Sequence, residues 1–103
     1  MPSIADVFAQ HCSRGELAYQ VDAGGRAVFP PRVGPYDWQV SAGEGTVYAT
    51  TTARPRGADP YDISLIDLDE GFRMMSRVRG GGAPVGARVR VAFEDGVPVF
   101  DAA

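Results

Sequence analysis

His11 and Cys12 are the only histidine and the only cysteine in the chain, and they are adjacent. A nucleophile and its base must face each other, whereas neighbours on a helix diverge by about 100°. The pair is therefore read as a surface or partner-contacting histidine beside a small apolar cysteine. Asp62, Asp67, Asp69 and Glu70 crowd a second stretch, where paired carboxylates can do acid–base work or hold a hard cation. Two of them lie in or beside a turn, where acids are common for local reasons, and the structural reading is preferred. All ten basic residues are arginine. Arg73, Arg77 and Arg79 alternate in one segment and Arg88 and Arg90 in another, so each set projects from one face of a strand, as a basic stripe or a solvated outer face. No P-loop, dinucleotide fingerprint or serine–histidine–aspartate constellation occurs, and the chain is expected not to be an enzyme.

Two four-residue frames have the spacing at which structural metal sites carry paired cysteines, but they end in Val21 and Gly24 and in Gly34 and Asp37. The segment reads as a zinc ribbon that has lost its ligands. Zinc is expected to be absent, and an apolar cluster of Leu17, Tyr19, Val28, Phe29, Tyr36 and Trp38 is expected to replace it.

At 103 residues and 45% apolar content the chain fits one compact core, with little room for a deep private cavity. Thirteen acidic against ten basic residues give a charge of −3, which argues against tight nonspecific binding to phosphate backbones. A lone cysteine, an N-terminus without a secretory pattern and no long apolar run point to the cytoplasm and to no membrane span.

Residues 3–14 read as a short amphipathic helix, with Ser3 as N-cap, Asp6 at the capping-box position, and Ile4, Val7 and Phe8 on one side. Glu16 to Trp38 reads as two short ribbons, with a turn at Asp22 to Gly25 and an extended exit forced by Pro30-Pro31. Five strand candidates follow: Thr46 to Arg54, Tyr61 to Leu68, Phe72 to Arg79, Ala87 to Glu94 and Val97 to Asp101. Asp69-Glu70-Gly71 and Glu94-Asp95-Gly96 are hairpin turns, and Gly80 to Gly86 is a long connection expected to be flexible. Of the adjacent Met74 and Met75, one must face outward.

Phe29-Pro30-Pro31-Arg32, Ser41 to Tyr48, Leu65 to Gly71 and Pro84 to Val91, in that order, resemble the OB-fold family associated with acyl-CoA enzymes, catalogued as domain of unknown function 35. The resemblance implies an all-β fold: a five-stranded OB-fold barrel preceded by a short N-terminal helix (1–15) and a metal-free zinc-ribbon-like segment (16–40), the barrel occupying 41–103. It also implies a non-catalytic accessory subunit that docks on a thiolase-like or other acyl-CoA enzyme and helps bind or channel the CoA thioester. No cofactor is expected beyond a possible acyl-CoA ligand. The candidate contacts to CoA phosphates are Arg32, Arg73, Arg77 and Arg79, and the candidate partner interface is Phe8, His11, Trp38, Phe72 and Met75. A homodimer is left open. The alternative is a single-stranded nucleic-acid-binding module stacking bases on Tyr48, Tyr61, Phe72, Phe93 and Phe100; the net acidity disfavours it.

Overall fold

The computed structural model describes residues 2–103. Helix α1 (Ile4–Ser13) begins at a complete capping box: the Ser3 hydroxyl accepts from the Asp6 N–H at 3.1 Å, and the Asp6 carboxylate accepts from the Ser3 N–H at 3.2 Å. A three-stranded antiparallel sheet follows, with β1 (Ala18–Val21) between β2 (Ala27–Val28) and β3 (Asp37–Val40). Its first turn is held by a carboxylate, as Asp22 Oδ1 accepts from the backbone N–H groups of Gly24 and Arg26 at 2.9 and 3.0 Å.

The second sheet has five strands: β4 (Glu44–Ala53), β5 (Tyr61–Leu68), β6 (Arg73–Ser76), β7 (Arg88–Glu94) and β8 (Val97–Ala102), in the order β6-β5-β4-β7-β8. A parallel bridge between Val78 and Phe100 brings its two ends together, with Arg79 N–H donating to Phe100 O at 2.8 Å and Phe100 N–H to Arg77 O at 2.9 Å. This is the closure of a small OB barrel. The β7–β8 hairpin turns on Asp95 (φ 52°) and Gly96 (φ 76°), both left-handed as a two-residue type I′ turn requires. At Gly45 the β5 backbone comes so close that a Cβ would lie 2.5 Å from Asp67 O, so no larger residue fits. A bulge in β4 between Val47 and Ala49 leaves Tyr48 without a partner and turns its ring outward.

Inward positions alternate along the strands, as with Ser64, Ile66 and Leu68 on β5. The core does not stop at the barrel. Leu17 and Tyr19 are buried with Val47, Ile66, Leu68, Phe72, Met74, Val78, Val89 and Phe100, and Phe8 and Phe29 pack against this set. Ring centroids run Phe8 to Phe29 at 6.0 Å, Phe29 to Phe72 at 5.0 Å and Phe72 to Tyr19 at 4.8 Å, joining helix, small sheet and barrel in one aromatic stack. The expected separate cluster is therefore corrected: Leu17, Tyr19 and Phe29 belong to the barrel's core, while Trp38, on an outer strand, is half-buried and stacks on His11 at 6.0 Å. A single sheet cannot bury its own apolar face and needs a second layer, which the barrel supplies.

Glu70, in the turn after β5, strengthens the joint. Its carboxylate accepts from the Ser41 hydroxyl at 2.7 Å and from Ala42 N–H at 2.8 Å, in the segment that links the two sheets.

Candidate functional site

The two four-residue frames flank the small sheet. Val21 and Asp37 are register partners across β1 and β3, while Gly24 and Gly34 lie in the flanking turns. These four positions supply one carboxylate and no nitrogen or sulfur ligand, so they do not fit a zinc ion. Among the described residues no group of three or more His, Cys, Asp or Glu side chains is placed to hold a metal.

The four acids near β5 separate into four local roles. Asp67 pairs with Arg73 at 2.6 Å, Asp69 takes both ends of the Arg88 guanidinium at 2.8 and 2.7 Å, and Glu70 holds the inter-sheet segment. Asp62 accepts from Thr50 Oγ1 at 2.8 Å, Ser64 Oγ at 2.7 Å and Val78 N–H at 2.9 Å, tying β4, β5 and the barrel-closing segment together. Burial works to raise the Asp62 pKa, but these hydrogen bonds outweigh it and hold the carboxyl below its ordinary value.

The arginines expected to form one basic stripe are dispersed and neutralised. Arg79 is gripped by Asp101 at 2.7 and 2.6 Å and by Glu94 at 3.3 Å, Arg77 pairs with Glu94, and Arg90 with Glu44 at 3.2 Å. Hydrogen bonds from Arg88 and from Arg79 hold Asp69 and Asp101 below the usual carboxylate range, and those from Arg79 and Arg77 do the same for Glu94. Arg77 and Arg79 line a depression with Thr52, Tyr61, Gly80 and Gly81, whereas Arg73 and Arg32 line two others. Arg73 with Asp67 and Arg90 with Glu44 are thus cross-strand ion pairs, while Arg77, Arg79 and Arg88 reach acids through residues outside the strands, which periodicity alone does not reveal.

The aromatic rings divide similarly. Phe72 and Phe100 are core, and Phe93 packs against it. Tyr48 and Tyr61 are exposed, but the guanidinium of Arg73 lies 3.4 Å from the Tyr48 ring centroid and covers the face a base would stack on.

Among the candidate interface residues, Phe72 is corrected: at 5% exposure, wedged between Tyr19 and Phe29, it has no surface to offer a partner. Met75 is 68% exposed, as the alternation with buried Met74 requires, and borders an open apolar groove with Tyr61, Ile63, Val97 and Pro98. Phe8 is half-buried on Phe29. His11 Nδ1 lies 2.8 Å from Glu16 Oε1 while its ring stacks on Trp38. Cys12 is 3% exposed, and burial pushes its thiol up, which keeps it protonated.

A buried polar position that sequence reasoning missed is Gln20. It is 2% exposed, and its amide makes two hydrogen bonds to the backbone of Arg32: Nε2 donates to Arg32 O at 3.0 Å and Oε1 accepts from Arg32 N–H at 2.8 Å. A glutamine in an otherwise apolar strand, Ala18-Tyr19-Gln20-Val21, was the available signal.

Comparison with known proteins follows this geometry. Residues 38–94 match the family described as the ChsH2 C-terminal OB-fold domain. The chain is 32% identical over 76 residues to the 3-oxo-4,17-pregnadiene-20-carboxyl-CoA hydratase alpha subunit of Mycobacterium tuberculosis, a match covering 67% of this chain and 24% of that protein. The chain therefore spans about a quarter of the length of the curated relative it matches. A solved structure described as the Ltp2-ChsH2(DUF35) aldolase superposes with a TM-score of 0.79 at 22% identity, covering 99% of this chain and 96% of that one. The name of the curated relative corrects the expectation of a chain outside enzyme catalysis, since that relative is named as a hydratase alpha subunit. With more than half of its length matching the family and the barrel closed as an OB-fold, the chain belongs to the ChsH2 C-terminal OB-fold family, an acyl-CoA-associated OB-fold family.

Proposed function

We propose that this chain is an accessory OB-fold subunit of an acyl-CoA-processing enzyme, docking on a thiolase-like or other thioester-handling partner. The family match over residues 38–94 carries the reading. The architecture supports it: helix, small sheet and barrel share one core and can act as a single rigid docking piece. In this reading the thioester is held mainly on the partner's side, because the barrel arginines that could meet CoA phosphates already have carboxylate partners. A cytoplasmic setting belongs to the same reading, with Cys12 a reduced thiol.

Co-expression with the acyl-CoA enzyme encoded nearest to it provides the test. The two chains are expected to elute together, and removing this chain is expected to change the enzyme's turnover or stability toward its thioester. Elution of the chain alone, with thioester turnover unaffected by its presence, would refute the proposal.

A further inference from the structure

The loop from Pro30 to Val33 is pinned from beneath by a buried side chain. Gln20, buried under it, gives both ends of its amide to the backbone of Arg32, and two prolines precede that residue. The side chains so positioned do little inside the chain. Val33 is 88% exposed, and among the described residues no carboxylate pairs with Arg32. Arg14, Arg73, Arg77, Arg79, Arg88 and Arg90 all have such partners. Arg26, Arg54 and Arg56 are also unpaired and, like Arg32, lie in exposed connections, but none of the three borders the apolar hollow beside α1. Arg32 instead rims a hollow whose other walls are apolar: Ile4, Ala5 and Phe8 of α1, with Pro31 and Val33.

The surface therefore combines an uncompensated cation with an apolar seat on a preorganised backbone. A phosphate group is poorly served there. Pro30 and Pro31 have no N–H, and the Arg32 N–H is already bonded to Gln20, so few backbone donors remain beside the single guanidinium. A carboxylate needs less, since one guanidinium fork matches it with two parallel hydrogen bonds.

We propose that the Pro30 to Val33 loop and the first two turns of α1 are the docking site for an acidic, aliphatic segment of the partner enzyme, with Arg32 meeting its carboxylate and the hollow receiving the adjacent aliphatic side chain. The proposal rests on the reading of the chain as a subunit of an acyl-CoA enzyme. Fixing the loop in advance lowers the ordering cost of association.

The test places a photo-cross-linking amino acid at Val33 of the full chain, and separately at Met75, in native extract, and identifies the cross-linked peptides by mass spectrometry. From position 33 the expected product is a peptide of an acyl-CoA-processing enzyme in which Asp or Glu neighbours an aliphatic residue. Arg32→Glu is expected to weaken that complex by about 30-fold or more, as for loss of a buried charge partner, with its melting temperature unchanged. Reversing the cross-linked acid to Arg is expected to restore binding. If the enzyme is retained but cross-links only through position 75, or binds Arg32→Glu as tightly as wild type, the docking site is refuted and the subunit reading stands. Binding of coenzyme A alone that is lost in Arg32→Glu also refutes the docking site. Failure of the wild-type chain to retain any acyl-CoA enzyme refutes both.

Discussion

Replacing Phe72 by alanine removes the ring that joins the small sheet to the barrel. That ring is 5% exposed and stacks on Tyr19 at 4.8 Å and Phe29 at 5.0 Å. Truncating a core phenylalanine typically costs about 3–5 kcal/mol, and this position falls in the upper half of that range because two aromatic contacts are lost with it, each worth roughly 0.5–1.5 kcal/mol beyond burial. Phe72→Leu keeps most of the volume and loses only the ring contacts, for an expected cost of about 1–2 kcal/mol. Against a total stability of about 5–15 kcal/mol for a domain, the alanine variant is left marginal. Urea unfolding should be followed by two signals: far-UV circular dichroism, and the emission of Trp38, the only tryptophan, which lies in β3 of the small sheet. If the two sheets share one core, both signals shift together in wild type and in both variants. A cost for Phe72→Ala below about 1.5 kcal/mol, or a Trp38 transition well separated from the barrel's, would refute the shared-core argument.

Further outcomes follow from other contacts. Asp62→Ala leaves the Val78 N–H and two hydroxyls without their acceptor and is expected to cost about 2–4 kcal/mol by chemical denaturation. Because the Asp62 carboxyl is held below its ordinary value, its contribution is complete above the ordinary carboxylate range and is lost as pH falls through the depressed value. Asp62→Asn should therefore flatten part of the stability loss on acidification, and an unchanged acid profile would exclude this role. Trp38→Ala should cost only about 1–2 kcal/mol, less than for a fully buried ring, because Trp38 is half-buried on an outer strand; a loss above 3 kcal/mol would restore the separate cluster. Purified protein is expected to hold well below one equivalent of zinc, and its melting temperature should not respond to chelator; stoichiometric zinc would overturn the ligand argument.

Much of the barrel was legible from local rules. Four of the five strand segments, the Asp95-Gly96 turn and the outward-facing Met75 follow from period-two alternation and from turn residues that tolerate positive φ, whereas the expected strand Phe72 to Arg79 is only Arg73–Ser76, the chain leaving β5 there to close the barrel through Val78. The Ser3–Asp6 capping box is equally local, because both partners lie within one turn. That the two frames end in Val21, Gly24, Gly34 and Asp37 is a matter of residue type and needed no fold at all.

Pairings between distant strands were not legible. Arginines spaced at two-residue intervals look the same in sequence whether they face solvent, a ligand or acids; only the folded chain, which brings the turn residue Asp69 to Arg88 and the barrel-closing Arg79 to Asp101, shows the ion pairs. The aromatic stack and the Gln20 clamp on Arg32 likewise join residues 12 or more positions apart. The sequence by itself determined where most strands lie, where the chain turns and that the two four-residue frames end in no cysteine or histidine, because backbone preference and ligand chemistry are properties of each residue and its near neighbours. Tertiary structure alone decided that the two sheets share a core and that Arg32 is left uncompensated beside an apolar hollow, because burial and charge neutralisation depend on which remote side chains the fold brings within a few ångströms.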